Sequence, residues 1–161
     1  MTDRIKISND GFGLRPAVME DARLLYDWRN DEDTRRFSFN KEPIRYEDHL
    51  KWLEKKLGQD DCLILIFSDN EGDAGQVRYD ICDGIALMSY SIDKDRRGRG
   101  YAGIMLEMAA TLLRRKYGDV TVKAEVLPGN AASVRVFQKL GYLMEREDDH
   151  YVFYNKKTGD K

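Results

Sequence analysis

The chain has 161 residues, the length of one domain at about 150 residues each. Hydrophobic residues make up 42% and charged residues 35%, which allows a real core and excludes a disordered chain. A formal net charge of −2 lacks the basic footprint of a dedicated nucleic-acid binder.

The first residues, Met1 to Lys6, include no apolar run, so no secretory signal is read there. Gly13, Leu14 and Arg15 predict a short strand halted by Pro16. Residues 20–30 predict a helix, because Ala22, Leu25 and Trp28 recur every three positions. Residues 27–39 are charged and aromatic without a clear period, which reads as a loop with room for one more helical turn. A second helix is expected over 46–57, with Leu50, Leu53 and Leu57 on its core face. His49 and Trp52 lie three apart, off that leucine face and on one side.

Residues 62–67 form the longest clean apolar run. It reads as a strand, since about 20 residues are needed to span a bilayer. No membrane partner is expected. Residues 75–82 and 85–92 predict two strands joined by Asp83-Gly84, a two-residue hairpin signal. Residues 99–117 predict a helix with apolar stripes on more than one side, hence covered on both. Residues 120–126 read as a strand, 131–140 as a helix closed by Gly141, and 142–144 and 151–154 as two final strands. The tail over 155–161 is polar and is expected to fray. The whole, residues 1–161, is expected to be a single domain of α/β (α+β) class: one mixed sheet of about seven strands with about four helices on its faces.

Two cysteines, Cys62 and Cys82, and two histidines, His49 and His150, have no metal-ligand spacing. They point to buried thiols in a reducing, cytoplasmic setting and to no metal.

The most informative segment is Asp95-Arg96-Arg97-Gly98-Arg99-Gly100-Tyr101-Ala102-Gly103. A strand feeds it and the apolar helix leaves it. Glycines let the backbone approach a ligand closely, and the helix N-terminus adds about half a positive charge, so the turn suits a phosphate or pyrophosphate. Gly98, Gly100 and Gly103 also satisfy the dinucleotide fingerprint, with Glu125 near the expected acidic position. That match comes too late in the chain and follows hairpin-linked strands rather than opening a parallel βαβ unit. No Lys-Ser or Lys-Thr follows, so the Walker pattern fails as well.

Residues 97–102 resemble the Q/R-x-x-G-x-G/A loop of the GCN5-related N-acetyltransferases (GNAT). Asn130, Ser133, Phe137, Lys139, Gly141 and Tyr142 resemble that family's second motif, N-x-x-S/A-x-x-x-Y/F-x-K-x-G-F. The resemblance runs from about Leu14 to Tyr154 and includes element order. It implies the GNAT fold and acetyl-CoA as cosubstrate. Ile92 and its strand neighbours would then pair with the pantetheine arm. Arg97, Gly98, Arg99, Gly100, Tyr101 and Ala102 would hold the pyrophosphate, and Asn130 and Ser133 would face the cofactor. Asn130 is equally a good N-cap.

Transfer to an amine needs a neutral nucleophile, a polarised thioester carbonyl and a proton for the thiolate. Glu125, at its strand end, is the candidate base, with a solvated carboxylate as the alternative. The family often uses a tyrosine as acid where this chain has Phe137. Ser89, Tyr90, Tyr142 or water remain as proton donors. A coenzyme A-binding module without turnover is therefore also open.

Trp28-Arg29-Asn30-Asp31, with Thr34, Arg35, Phe37, Phe39, His49 and Trp52, combines cations, amides and aromatic faces. The Trp28-Arg29-Asn30-Asp31 segment, the downstream helix with His49-x-x-Trp52 and the catalytic domain together resemble the acetyltransferases of the pseudaminic-acid pathway, which act on the 4-amino group of a UDP-linked 4-amino-4,6-dideoxy sugar. The resemblance implies that Trp28, Arg29 and His49 contact the acceptor, the last two at its nucleotide part. Ribosomal-protein N-terminal acetyltransferases have similar N-terminal halves, so a peptide amine stays open. The expected partner is a small-molecule amine, with a homodimer left open.

Overall fold

A computed structural model describes residues 7–156. Met1 to Lys6 and residues 157–161, where a leader-free start and the end of a polar tail are expected, lie outside the described residues.

The strands are β1 (Ile7–Asn9), β2 (Phe12–Pro16), β3 (Cys62–Asp69), β4 (Gly72–Cys82), β5 (Ile85–Ile92), β6 (Thr121–Val126), β7 (Leu143–Arg146) and β8 (Tyr151–Tyr154). The α-helices are α1 (Ala22–Asn30), α2 (Glu32–Arg36), α3 (Tyr46–Leu57), α4 (Tyr101–Tyr117) and α5 (Ala131–Lys139). They build one mixed sheet in the order β1-β2-β3-β4-β5-β6-β8-β7. The described residues thus form eight strands and five α-helices, one more of each than expected. The extra strand, β1, pairs with β2 across a tight turn in which Asp10 and Gly11 take positive φ. The extra helix, α2, is the additional turn, capped by Asp31 accepting from the Thr34 N–H at 3.0 Å.

The apolar run in β3 is buried on both faces, which explains why it shows no alternation. Leu63, Leu65 and Phe67 pack with α4 and α5 residues in one core. Cys62, Ile64 and Ile66 pack under α1 and α3 with Leu25, Trp28 and Leu53 in the other. Burial, followed by the charge of Asp80, pushes the Cys62 thiol up to about 11, so it stays an inert thiol.

Asp83 and Gly84 make the expected hairpin, with φ of +51° and +77°, the signature of a type I′ turn. Where the tail was expected to fray, Asn155 instead clasps β6, its Oδ1 accepting from the Val122 N–H at 2.9 Å. Lys156 pairs with Asp119 at 2.8 Å.

The feature that positions everything else is the β5–β6 junction. It is the parallel step in the sheet, and its pairing covers only residues 85–88 against 121–124. Beyond it, residues 89–92 of β5 pair with β4 alone. Glu125 and Val126 of β6 pair with β8 alone. The two strands splay apart and leave a cleft between their ends. Gly75 of β4 belongs to this device, since a Cβ there would meet the Ser91 carbonyl at 2.8 Å.

Candidate active site

The cleft has a volume of about 1400 Å³ and runs from the glycine turn, through the splay, to the helices α1 and α3. Sheet register decides what faces which side. Arg78 lies opposite Ser89 and Gln76 opposite Ser91, and the Gln76 amide donates to the Ser91 hydroxyl at 3.1 Å. These residues therefore share the face under α1 and α3. Val77, Met88, Ile92, Ala124 and Val126 point into the opposite core, so alternation puts Glu125 on the face of Ser89 and Arg78.

The glycine turn holds its shape through Gly98 and Gly100, with φ of +78° and +76°. Gly100 is the N-cap of α4. Among the described residues, no protein acceptor meets the main-chain N–H groups of residues 98–103. Such a nest of donors at a helix N-terminus matches an anionic phosphate.

The arginines of this turn are placed differently from the sequence expectation. Arg97 lines the cleft, but its Nε donates to the Ile92 carbonyl at 3.0 Å. Its guanidinium pairs with Asp31 at 2.9 Å and Asp33 at 3.4 Å. Burial pushes the Asp31 carboxyl up, but hydrogen bonds from Arg97 and the Thr34 N–H outweigh it and hold the group below the usual carboxylate range. Arg97 therefore ties the turn to α2. Arg99 lies outside the main cleft, in a small depression with Asp69, Glu71 and Tyr101. Arg96 is pinned on Asp69 at 3.4 Å.

Asn130 caps α5, its Oδ1 accepting from the Ser133 N–H at 3.3 Å. The Ser133 hydroxyl is 2.7 Å from the Tyr90 hydroxyl. Burial raises the Tyr90 phenol above its ordinary value, with the Ser133 bond opposing, so it stays protonated. Phe137 is 1% exposed. It packs among Tyr90, Tyr142 and Phe153, with ring centroids 6.0, 5.0 and 5.1 Å away. Burial takes the Tyr142 hydroxyl up to about 12.

On the α1–α3 side, Trp28 is buried away from the cleft, its indole N–H donating to Asp93 at 3.0 Å. His49 is only 2% exposed, and its Nε2 lies 3.0 Å from the Ala22 carbonyl. A carbonyl only accepts, so Nε2 carries a proton there. Burial lowers the His49 pKa, as does the charge of Arg29, and the ring is neutral. His49 and Trp52 do share one side and both line the cleft, with the rings stacked at 5.8 Å, but His49 is buried in the α1–α3 seam rather than exposed.

Arg29 does face the cleft, half-buried, and no carboxylate pairs with it among the described residues. Burial first, and then the like charge of Arg78, depress its pKa. Arg78 itself lies 5.0 Å over the Trp52 ring and touches Asp80 at 3.0 Å. Two guanidinium groups thus converge on one wall. Arg78 was legible as part of the Gln76-x-Arg78-x-Asp80 alternation in β4, a polar stripe inside an otherwise apolar sheet.

A second unanticipated neighbour is His150. Its Nε2 is 3.4 Å from Glu125 Oε2. No local pattern announces this contact, because β8 must pair with β6 before the two residues meet.

Residues 12–143 match the model of the acetyltransferase (GNAT) domain. The chain is 22% identical over 149 residues to an SPbeta prophage-derived uncharacterized N-acetyltransferase, YokL, of Bacillus subtilis, covering 91% of this chain and 84% of that protein. It is 23% identical over 137 residues to an uncharacterized protein of Methanocaldococcus jannaschii, covering 80% of this chain but only 27% of that protein's length. Among solved structures, the ribosomal L7/L12 alpha-N-protein acetyltransferase RimL in complex with coenzyme A superposes with a TM-score of 0.79 at 14% identity, covering 96% of this chain and 99% of that one. The chain belongs to the GNAT acetyltransferase family and is an N-acetyltransferase.

Proposed function

We propose that the chain moves the acetyl group of acetyl-CoA to a primary amine on a phosphorylated acceptor, the 4-amino group of a UDP-linked 4-amino-4,6-dideoxy sugar. The observation that carries this reading is the Arg29–Arg78 wall, where a half-buried Arg29, with no carboxylate partner among the described residues, faces the cleft beside the Arg78 that lies over Trp52. Diphosphate oxygens would relieve the repulsion between the two guanidinium groups, with Trp52 holding the Arg78 guanidinium in place from beneath. His49 supports Trp52 from behind, and Trp28 anchors α1 through Asp93.

The rest of the site follows the chemistry. The donors of residues 98–103 take the cosubstrate pyrophosphate, flanked by Tyr101 and Ala102, with Arg97 holding the turn in place. The outer main chain of β5, up to Ile92, lacks a β6 partner and pairs with the pantetheine amides. Glu125 takes the proton of the acceptor ammonium. The neutral nitrogen bonds to the acetyl carbon, the carbon–sulfur bond breaks, the thiolate takes a proton from Tyr90, Ser89 or water, and the second proton shed by the new amide nitrogen restores that donor. Asn130 and Ser133 set the α5 end of the cofactor channel.

A thiol-release assay tests the acceptor: a UDP-linked 4-amino sugar, the free aminosugar, spermidine and N-terminal peptides. Turnover confined to the UDP-linked amine is expected, and turnover of peptides or spermidine without it discards this acceptor. Gly100→Val tests the cofactor half. A β-branched residue in left-handed geometry costs about 1–2 kcal/mol, and distortion of the donor nest adds to that. Calorimetry should show coenzyme A binding weakened at least tenfold. An unchanged affinity would remove the turn from the binding site.

A further inference from the structure

We propose that His150 is a positioning residue for Glu125 and receives its proton, so that the carboxylate at the end of β6 is restored as a base in each turnover. The proposal rests on the reading of Glu125 as the base.

The geometry is a chain of three groups. His150 sits at the end of the β7–β8 turn, one residue before Tyr151, which pairs with Val126. The turn is fixed by the Glu147 N–H donating to the His150 carbonyl at 2.8 Å. Nδ1 of the ring is 2.7 Å from Asp149 Oδ1 and Nε2 is 3.4 Å from Glu125 Oε2. The charged groups against the ring are Asp149 from its own turn and Glu125 from β6. Its third neighbour, Phe39 of the α2–α3 loop, is uncharged and meets it edge-on at 5.3 Å. The His150 side chain is 17% exposed, while Asp149 is 83% exposed.

An ionised Asp149 only accepts, so it fixes the ring proton on Nδ1 and leaves the Nε2 lone pair toward Glu125. When the acceptor ammonium gives its proton to Glu125, the acid can pass it to Nε2. The imidazolium then lies between two carboxylates, and the proton leaves through the exposed Asp149 edge. Consistently, the Asp149 hydrogen bond, and then the charges of Asp149 and Glu125, raise the His150 pKa against the effect of burial. No oxidation is involved, and the only bonds exchanged are N–H and O–H.

His150 must be neutral to receive a proton, so activity falls as pH drops through its raised pKa. His150→Gln removes the receiver. It is expected to lower kcat by about tenfold, less than the hundredfold of a group in direct contact. It should also move the acidic limb of the rate profile down toward the carboxylate range. The KM for acetyl-CoA should stay unchanged. The assay uses the panel amine that turns over fastest.

A second measurement does not depend on activity. The chain has two histidines, so nitrogen-detected titration resolves both rings. The His150 midpoint should fall in Glu125→Gln and in Asp149→Asn. A His150 midpoint indifferent to Glu125→Gln, or a kcat loss in His150→Gln that is the same at every pH, overturns the proposal. Full activity in Glu125→Gln overturns the base assignment and this inference together. A Glu125→Gln defect alongside a normal His150→Gln enzyme overturns the inference alone.

Discussion

Glu125→Gln is expected to lower kcat by roughly a hundredfold or more near neutral pH, while coenzyme A affinity stays at its wild-type value. An alkyl amine such as that of lysine ionises near pH 10.4, so roughly four molecules in ten thousand are nucleophilic at pH 7. A base at the splay removes that handicap for the bound ammonium. Glutamine keeps the size and much of the hydrogen bonding of Glu125 but cannot take a proton. Its side chain is 37% exposed, so the change should not unfold the protein. The deficit should shrink as the pH approaches the amine's own pKa, because the acceptor then arrives neutral. Measuring kcat from about pH 6 to about pH 10 decides the matter. A loss of constant factor across that range would leave Glu125 with a structural role and no base function.

The parts of this site that the sequence declares are those made by local chain geometry. Gly98 and Gly100 must sit in a turn feeding an apolar helix, and the structure puts them there with positive φ. Asp83-Gly84 specifies its hairpin without help from distant residues. Asn130 caps α5 for the same reason. Side-chain partnerships across the fold were not legible in this way. Arg97 reads as a phosphate ligand from its place in the motif, but Asp31 and Asp33 of α2 claim its charge. Arg99, two positions on, turns into a separate small depression with Asp69, Glu71 and Tyr101. His49 was placed off the leucine stripe of α3, but α1 packs against that side and supplies the Ala22 carbonyl. Each of these outcomes is decided by an element distant in sequence, which periodicity cannot report.

Arg29→Met should separate the requirements of acceptor binding from those of folding. Hydrogen bonds to charged groups contribute about 1.5–3 kcal/mol each. Loss of one to a phosphate should therefore raise the KM for the UDP-linked amine by roughly ten- to a hundredfold. The KM for acetyl-CoA should not move, because the donor nest lies at the far end of the cleft. Stability should hold or rise. In the folded protein Arg29 is half-buried beside the like charge of Arg78, with no carboxylate partner among the described residues, and methionine keeps the apolar stem without that repulsion. Arg78 is a poorer probe, since it also covers Trp52 and holds Asp80. Initial rates with the UDP-linked amine and the free aminosugar, together with urea unfolding, make the comparison. An equal KM increase for both amines would show that Arg29 does not read phosphate. A loss of stability would show that the Arg29 charge supports the fold. Selective loss on the UDP-linked amine at undiminished stability is the signature of a cation kept in an unfavourable place because the acceptor requires it.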